Sequence, residues 1–188
     1  ANGCTASSTV TIAPPNSPVI SNVATTDVLC NAGNDGSITV SANGGIGALN
    51  YNLQAGNLNN ANGVFNNLTA GVYTITVGDA NGCTVSSTAT IAEPAIINWT
   101  NNVITNINCN GGNDGDITIA AAGGTGNINY NLQPNNITNN TGLFPNLTAG
   151  TYTMTATDAN GCTLTTALQI IQAPALTWTN ATATNVSC

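Results

Sequence analysis

Periodicity at two scales makes this an all-β chain of tandem β-sandwich modules. At the larger scale the sequence repeats itself every 79 residues: "ANGCT" recurs at Ala1, Ala80 and Ala159. Aligned without gaps, residues 30–108 and 109–187 are identical at 41 of 79 positions, so the 188 residues hold two full periods and a 30-residue overlap. Such a period marks a row of separately packed modules. At the smaller scale apolar residues alternate with polar ones at period two, and turn residues separate the alternating runs.

The strands follow in order. In the first module Ile38 and Val40 alternate with Thr39 and Ser41, and Leu49, Tyr51 and Leu53 with Asn50 and Asn52. Tyr73, Ile75 and Val77 alternate with Thr74 and Thr76, and Ala89 and Ile91 close the module. The second module repeats the pattern with Ile117 and Ile119, then Ile128, Tyr130 and Leu132. Tyr152, Met154 and Ala156 follow, and finally Leu168 and Ile170. Asp35-Gly36, Gly44-Gly45, Asn62-Gly63, Ala70-Gly71 and Asn81-Gly82 supply the turns. Six or seven short strands per 79 residues fit a small immunoglobulin-like β-sandwich, and no segment has a helical period. The Asn-rich stretch 55–62 reads equally as a loop or as an extra strand.

Proline sets the module borders, because it withholds a backbone donor and sits badly inside a sheet. It recurs in "IAPPNSP" (12–18), "IAEPA" (91–95) and "IQAPA" (171–175). The expected modules are therefore 18–94 and 95–173. Residues 1–15 read as the last strand of a preceding module, and 174–188 as the first strand of a following one.

Charge narrows the function. All seven charged residues are acidic: Asp27, Asp35, Asp79, Glu93, Asp114, Asp116 and Asp158. Without Lys or Arg the chain cannot neutralise phosphates, which excludes nucleic-acid binding and electrostatic attraction to anionic lipid. No apolar run reaches 18 residues, so membrane insertion by a helix is not expected. The chain also lacks trypsin sites and cannot form Lys–Asn isopeptide bonds. Its 33 Asn, with Thr, Ser and Gly, must supply the polar surface. No signal peptide is visible, and the chain reads as a window cut from a longer array.

"CNAGNDGSITVSANGG", "LNYNL", "LTAGVYTITVGDANGCT" and "IAEP" occur in that order, and their counterparts recur one period later. Together they resemble the SprB-type repeat of large secreted surface adhesins of gliding Bacteroidota. The resemblance covers essentially the whole chain. It implies export across the outer membrane by the type IX route, tandem β-sandwich domains, and a filamentous or adhesive role. The chain departs from that family in having no Lys or Arg, which tilts the reading towards a plain extracellular fibre.

For a secreted repeat, two regularly placed cysteines per period mean disulfides. Zinc is disfavoured, with no His and no C-x-x-C. Cys4, Cys83 and Cys162 share one phase, and Cys30, Cys109 and Cys188 the other. Two connectivities compete. The favoured one is within modules, Cys30–Cys83 and Cys109–Cys162, with Cys4 and Cys188 pairing outside the segment. The other runs across linkers: Cys4–Cys30, Cys83–Cys109 and Cys162–Cys188. Strand parity arbitrates. Four strands between Cys30 and Cys83 would put both at one pole, whereas five would separate them and favour a bridge between neighbouring modules.

A bridge within the module would gather Asp35 with Asp79, or Asp114 with Asp158, as hard oxygen ligands for calcium. Plain turn chemistry is the preferred reading of the same residues, and no other cofactor is expected. Trp99 and Trp178 share a phase after the linker prolines. Packing at a junction is preferred to stacking on a glycan. Sequons at Asn67, Asn98, Asn136, Asn139, Asn146, Asn180 and Asn185 include Asn67 and Asn146 as candidate glycosylation sites. Acids that recur at turns in every module do not look like a catalytic pair, and no nucleophile elbow or phosphate loop is present. The expectation is a secreted, non-catalytic, disulfide-stabilised repeat of an extracellular filament or cell-surface fibre, whose partners are neighbouring modules or copies of itself. An adhesin module that recognises glycans or other cell surfaces is the alternative.

Overall fold

The computed structural model describes Val10, 16–54, 56–183 and 185–186. Contacts divide the chain into two units, one of Ala1–Val28 with Ala32–Glu93 and one of Leu29–Asn31 with Pro94–Cys188. Each unit contains one β-sandwich of seven strands, and no described residue is helical.

In the first sandwich β1 (Pro18–Thr26), β2 (Gly36–Gly44) and β5 (Val64–Leu68) form one sheet in the order β1-β2-β5. β3 (Asn50–Leu53), β4 (Leu58–Asn60), β6 (Gly71–Gly78) and β7 (Thr84–Ile91) form the other, ordered β4-β3-β6-β7. The period-two residues meet between the sheets: Ile38, Leu53, Ile75 and Val77 are fully buried, with Tyr51, Phe65, Tyr73 and Ile91 packed around them. The second sandwich repeats this plan. Its sheets are β12-β9-β8 and β11-β10-β13-β14. Their strands are β8 (Asn98–Thr105), β9 (Gly115–Ala122), β10 (Asn129–Gln133), β11 (Ile137–Asn139), β12 (Leu143–Leu147), β13 (Gly150–Thr157) and β14 (Thr163–Ile170). Ile117, Ile119, Leu132, Phe144, Met154 and Ile170 fill its core. This is the immunoglobulin-like architecture expected, with both inner faces supplied by alternating residues.

The Asn-rich stretch contains a strand. β4 has three residues and pairs with β3 through Tyr51↔Asn60, Asn52↔Asn59 and Leu53↔Leu58. Asparagine side chains hold the hairpin: Asn52 Nδ2 donates to Asn57 Oδ1 and Asn59 Oδ1, at 2.9 and 2.8 Å. Asn60 then shapes the exit. Its Oδ1 accepts from the Asn62 and Gly63 N–H groups, and its Nδ2 donates to the Val64 carbonyl. Gly63 follows at φ +71°, where an added Cβ would overlap the Val40 carbonyl oxygen. Asn139 and Gly142 occupy the same positions in the second sandwich, with the same bonds.

A tyrosine corner closes each module. Tyr73 Oη donates 2.8 Å to the Thr69 carbonyl, and Tyr152 Oη donates 2.9 Å to that of Thr148. This is why a Tyr follows Leu-Thr-Ala-Gly in both periods.

The described residues of 174–188 lie in no strand. The equivalent stretch, β8, pairs with β9, and no third counterpart of β9 follows in this sequence. Val10 apart, the expected strand at 1–15 falls outside the described residues, as do Cys4 and Cys188.

Two substitutions check this account by chemical denaturation. Tyr152→Phe, which removes the part-buried hydrogen bond to the Thr148 carbonyl and the longer contact with its hydroxyl, is expected to cost about 1 kcal/mol. Gly63→Ala, which meets both a left-handed φ and a backbone clash, is expected to cost about 2 kcal/mol or more.

Candidate functional site

Two recurrent turns meet at the site, and each is built before they meet. The first is the loop between β1 and β2. Asp27 Oδ1 accepts the Ala92 N–H (2.8 Å), and the Val28 N–H donates to the Ala92 carbonyl (3.2 Å), which fixes where the strand ends. Asn31 Nδ2 then reaches the Pro94 carbonyl (3.1 Å), and the N–H of Ala32, at φ 58°, donates to Glu93 Oε2 (2.7 Å). Cys30 is thereby held beside the linker proline. The loop between β8 and β9 is made the same way. There Asn106 Oδ1 accepts from Ile171 N–H, Asn110 Nδ2 donates to the Ala173 carbonyl (3.1 Å), and Gly111 N–H donates to Gln172 Oε1 (2.9 Å).

The second turn is "DANGC". Asp158 Oδ1 accepts the N–H groups of Asn160 and Cys162, both at 2.9 Å, while Oδ2 accepts that of Thr125 at 2.7 Å. The carboxylate therefore clamps its own turn and ties it to the Gly-Gly loop between β9 and β10. Asp79 does the same with Asn81, Cys83 and Ile46. These bonds favour the charged form and hold both carboxyls below the ordinary value of 3.8. At Asp79 the Ile46 N–H is the chief cause. At Asp158 burial is the largest influence and acts upward, but the N–H groups of Thr125, Cys162 and Asn160 outweigh it.

Cys30 is bonded to Cys162, 132 residues away, with the two Cα atoms 5.7 Å apart. Both cysteines belong to the second unit, which includes Leu29–Asn31. Asn160 Nδ2 donates 3.0 Å to the Leu29 carbonyl, so the asparagine of "DANGC" docks the turn next to the bond. The Cys162 sulfur lies 3.4 Å from the same carbonyl oxygen. Having no hydrogen in a disulfide, it makes a contact there and not a hydrogen bond.

The pairing favoured from sequence, Cys30–Cys83 with Cys109–Cys162, is therefore replaced by another. Topology gives the reason. β2, β3, β4, β5 and β6 lie between Cys30 and Cys83, and an odd number of antiparallel strands puts the two turns at opposite ends of the sandwich. Cys83 and Cys109 carry no bridge.

The same parity separates Asp35, beside Cys30, from Asp79, and Asp114 from Asp158, so neither pair of expected calcium ligands is brought together. Among the described residues no group of three or more His, Cys, Asp or Glu could hold a metal ion. Asp114 Oδ2 accepts from Asn108 Nδ2 at 2.7 Å. Trp99 lies half-buried in β8 with its ring 6.4 Å from that of Tyr130, stacked at 27° and packed on the core of its own sandwich. Trp178 is 94% exposed. Asn67 and Asn146 are exposed and sit at φ 57° and 60° next to a register shift, a left-handed position that Asn tolerates well. Sequence reasoning missed the two carboxylate clamps, because their partners Ile46 and Thr125 lie 33 residues away.

Lowered carboxylate values carry a pH signature. A group whose folded value is depressed contributes stability that is present above its unfolded value and lost as pH falls through the folded one. Urea denaturation is expected to give a plateau at neutral pH and a decline below about pH 4, the usual carboxylate range. The double variant Asp79→Asn, Asp158→Asn should start less stable and lose most of that slope. An unchanged slope would remove the clamps from the account.

The model of the SprB repeat matches residues 22–58 and 101–137. No curated protein matches the chain. Among solved structures it is similar to the N-terminal eight Ig domains of Down Syndrome Cell Adhesion Molecule, at 16% identity and TM-score 0.42, over 85% of this chain and 25% of that one. It is also similar to the C-terminal 282-residue fragment of intimin, solved with the intimin-binding domain of the translocated intimin receptor. There the identity is 13% and the TM-score 0.45, over 81% and 64% of the two chains. Drosophila OTK extracellular domains 3–5 match at 16% identity and TM-score 0.37, over 78% and 58%. The chain thus spans from a quarter to just under two thirds of these structures. Each of its two sandwiches carries one match to the SprB repeat model.

Proposed function

We propose that the chain is a non-catalytic structural segment of an extracellular filament or cell-surface fibre, and that its work is mechanical. The observation that carries this reading is the Cys30–Cys162 bridge, which covalently joins a turn of one repeat to a turn of the next. Tension applied through the termini then passes across one sulfur–sulfur bond and bypasses the residues between. The two SprB matches support a surface role. The composition fits as well: without cations the surface depends on Asn, Thr and Ser, and seven acids keep copies from collapsing onto one another. Its partners are neighbouring repeats or copies of the same chain.

Force spectroscopy on the chain, held by handles at both ends, tests the reading. Under oxidising conditions only residues outside the bridge should extend. Reduction should add about 450 Å, the length of 132 residues at roughly 3.4 Å each. Equal extension with and without reductant would remove the mechanical role.

A further inference from the structure

An open cleft of about 380 Å³ lies on the second sandwich, where the end of β9, the β9–β10 loop and the β11–β12 turn come together. Asn127, Ile128, Tyr130 and Asn140 line it, with Ala121 and Gly126 beside them. Small-ligand sites run to roughly 300–1,000 Å³, so the volume suits a small molecule. None of the lining side chains is charged.

The first repeat shows which of these residues the fold requires. One period earlier Tyr130 keeps its counterpart Tyr51, and Gly126 its Gly47. Asn127 corresponds instead to Ala48, Asn140 to Ala61, and Trp99 to Ile20. The two amides are therefore additions to a shared frame. Both side chains are exposed, and neither has a hydrogen-bond partner among the described residues. The backbone beneath them is nevertheless fixed. Asn127 follows the loop that Asp158 clamps through Thr125 N–H, and Ala159 N–H donates to the Thr125 carbonyl at 2.9 Å. Asn140 adjoins Asn139, whose Oδ1 accepts the Thr141 and Gly142 N–H groups. Preset supports lower the ordering cost of binding.

Two aromatic residues complete the site. Tyr130 is 6% exposed, and its Oη accepts the Ala121 N–H at 2.9 Å, which leaves the hydroxyl proton to donate. Trp99 stacks on Tyr130 and pairs with Ala121 across the strands. Its indole N–H is buried and has no acceptor among the described residues. Ile20 fills the equivalent place without burying a donor, so packing alone does not account for a Trp here.

We propose that this cleft binds a neutral sugar. The Asn127 and Asn140 amides bond to its hydroxyls, and the Tyr130 hydroxyl donates to one of its oxygens. Trp99 is a positioning residue that holds the Tyr130 ring. The donor set selects the ligand class. Amides donate and accept, as sugar hydroxyls do. With no Lys or Arg in the chain, a sugar acid or phosphate would lie in the cleft without a partner for its charge. The first sandwich, with Ala48 and Ala61, lacks the amides and lacks the site.

The proposal stands apart from the mechanical reading, and its failure would leave the extension experiment untouched. Titration of Trp178→Phe, in which Trp99 is the sole indole, tests it with maltose, lactose, cellobiose and N,N′-diacetylchitobiose. At least one should change the Trp99 emission saturably, with a millimolar Kd. The same sugar should move the amide NMR signals of 121–128 and 140, and leave those of 42–49 and 61 in place. Asn127→Ala with Asn140→Ala installs the residues of the first repeat. This double variant should fold, as circular dichroism checks, and bind that sugar about tenfold more weakly or worse. Each single variant should show an intermediate loss, which keeps the test open if the double variant does not fold. No saturable response to any of these sugars, signals that move elsewhere, or undiminished affinity in the folded variants would each overturn the proposal.

Discussion

Strand β4, three residues long and pinned to β3 by asparagine side chains, makes the number of strands between the two cysteine phases odd. Without it the β1–β2 loop and the "DANGC" turn would share one end of the sandwich, and the cysteine of each loop could bond within its own module. With it they sit at opposite ends, and a cysteine finds its mate one repeat further on. A hairpin with almost no apolar content therefore decides whether the covalent links lie inside modules or run along the array.

Much else serves that arrangement. These turns are fixed by bonds that exist independently of any disulfide: Asp79 and Asp158 clamp the "DANGC" turns, and Asn31 and Asn110 tether the β1–β2 and β8–β9 loops to the Pro94 and Ala173 carbonyls. Docking two preset turns costs little further entropy. Loop closure over 132 residues corresponds to about 5 kcal/mol in the chain-entropy model, comparable to the whole stability of a small domain. A chain with no Lys, Arg or His has no side-chain ion pairs to draw on, so cohesion rests on two apolar cores, amide and carboxylate hydrogen bonds, and sulfur.

The cores were legible because period two is unambiguous at Ile38/Val40, Tyr73/Ile75/Val77 and their counterparts, all of which lie buried. β4 was not, since Leu58-Asn59-Asn60 has no alternation to read and is held by side-chain amides. Asp35-Gly36 misled in a different way. It looks like a turn, but Gly36 opens β2, where a Cβ would come within 2.8 Å of the Leu68 carbonyl oxygen. The left-handed residue of that loop is Ala32, matched by Gly111. Asp79 and Asp158 were read as turn residues, and they are, but each also reaches a second loop that no local pattern announces. Trp99 looked like a junction residue; its contact with Tyr130 places it on its own module's core.

The disulfide map of the oxidised chain tests the central claim most directly. Non-reducing peptide mass spectrometry, with cleavage at Asp and at aromatic residues, should recover Cys30 joined to Cys162. Recovery of Cys30–Cys83 together with Cys109–Cys162 would contradict the account, because it would mean that the turns separated by five strands had met within one module.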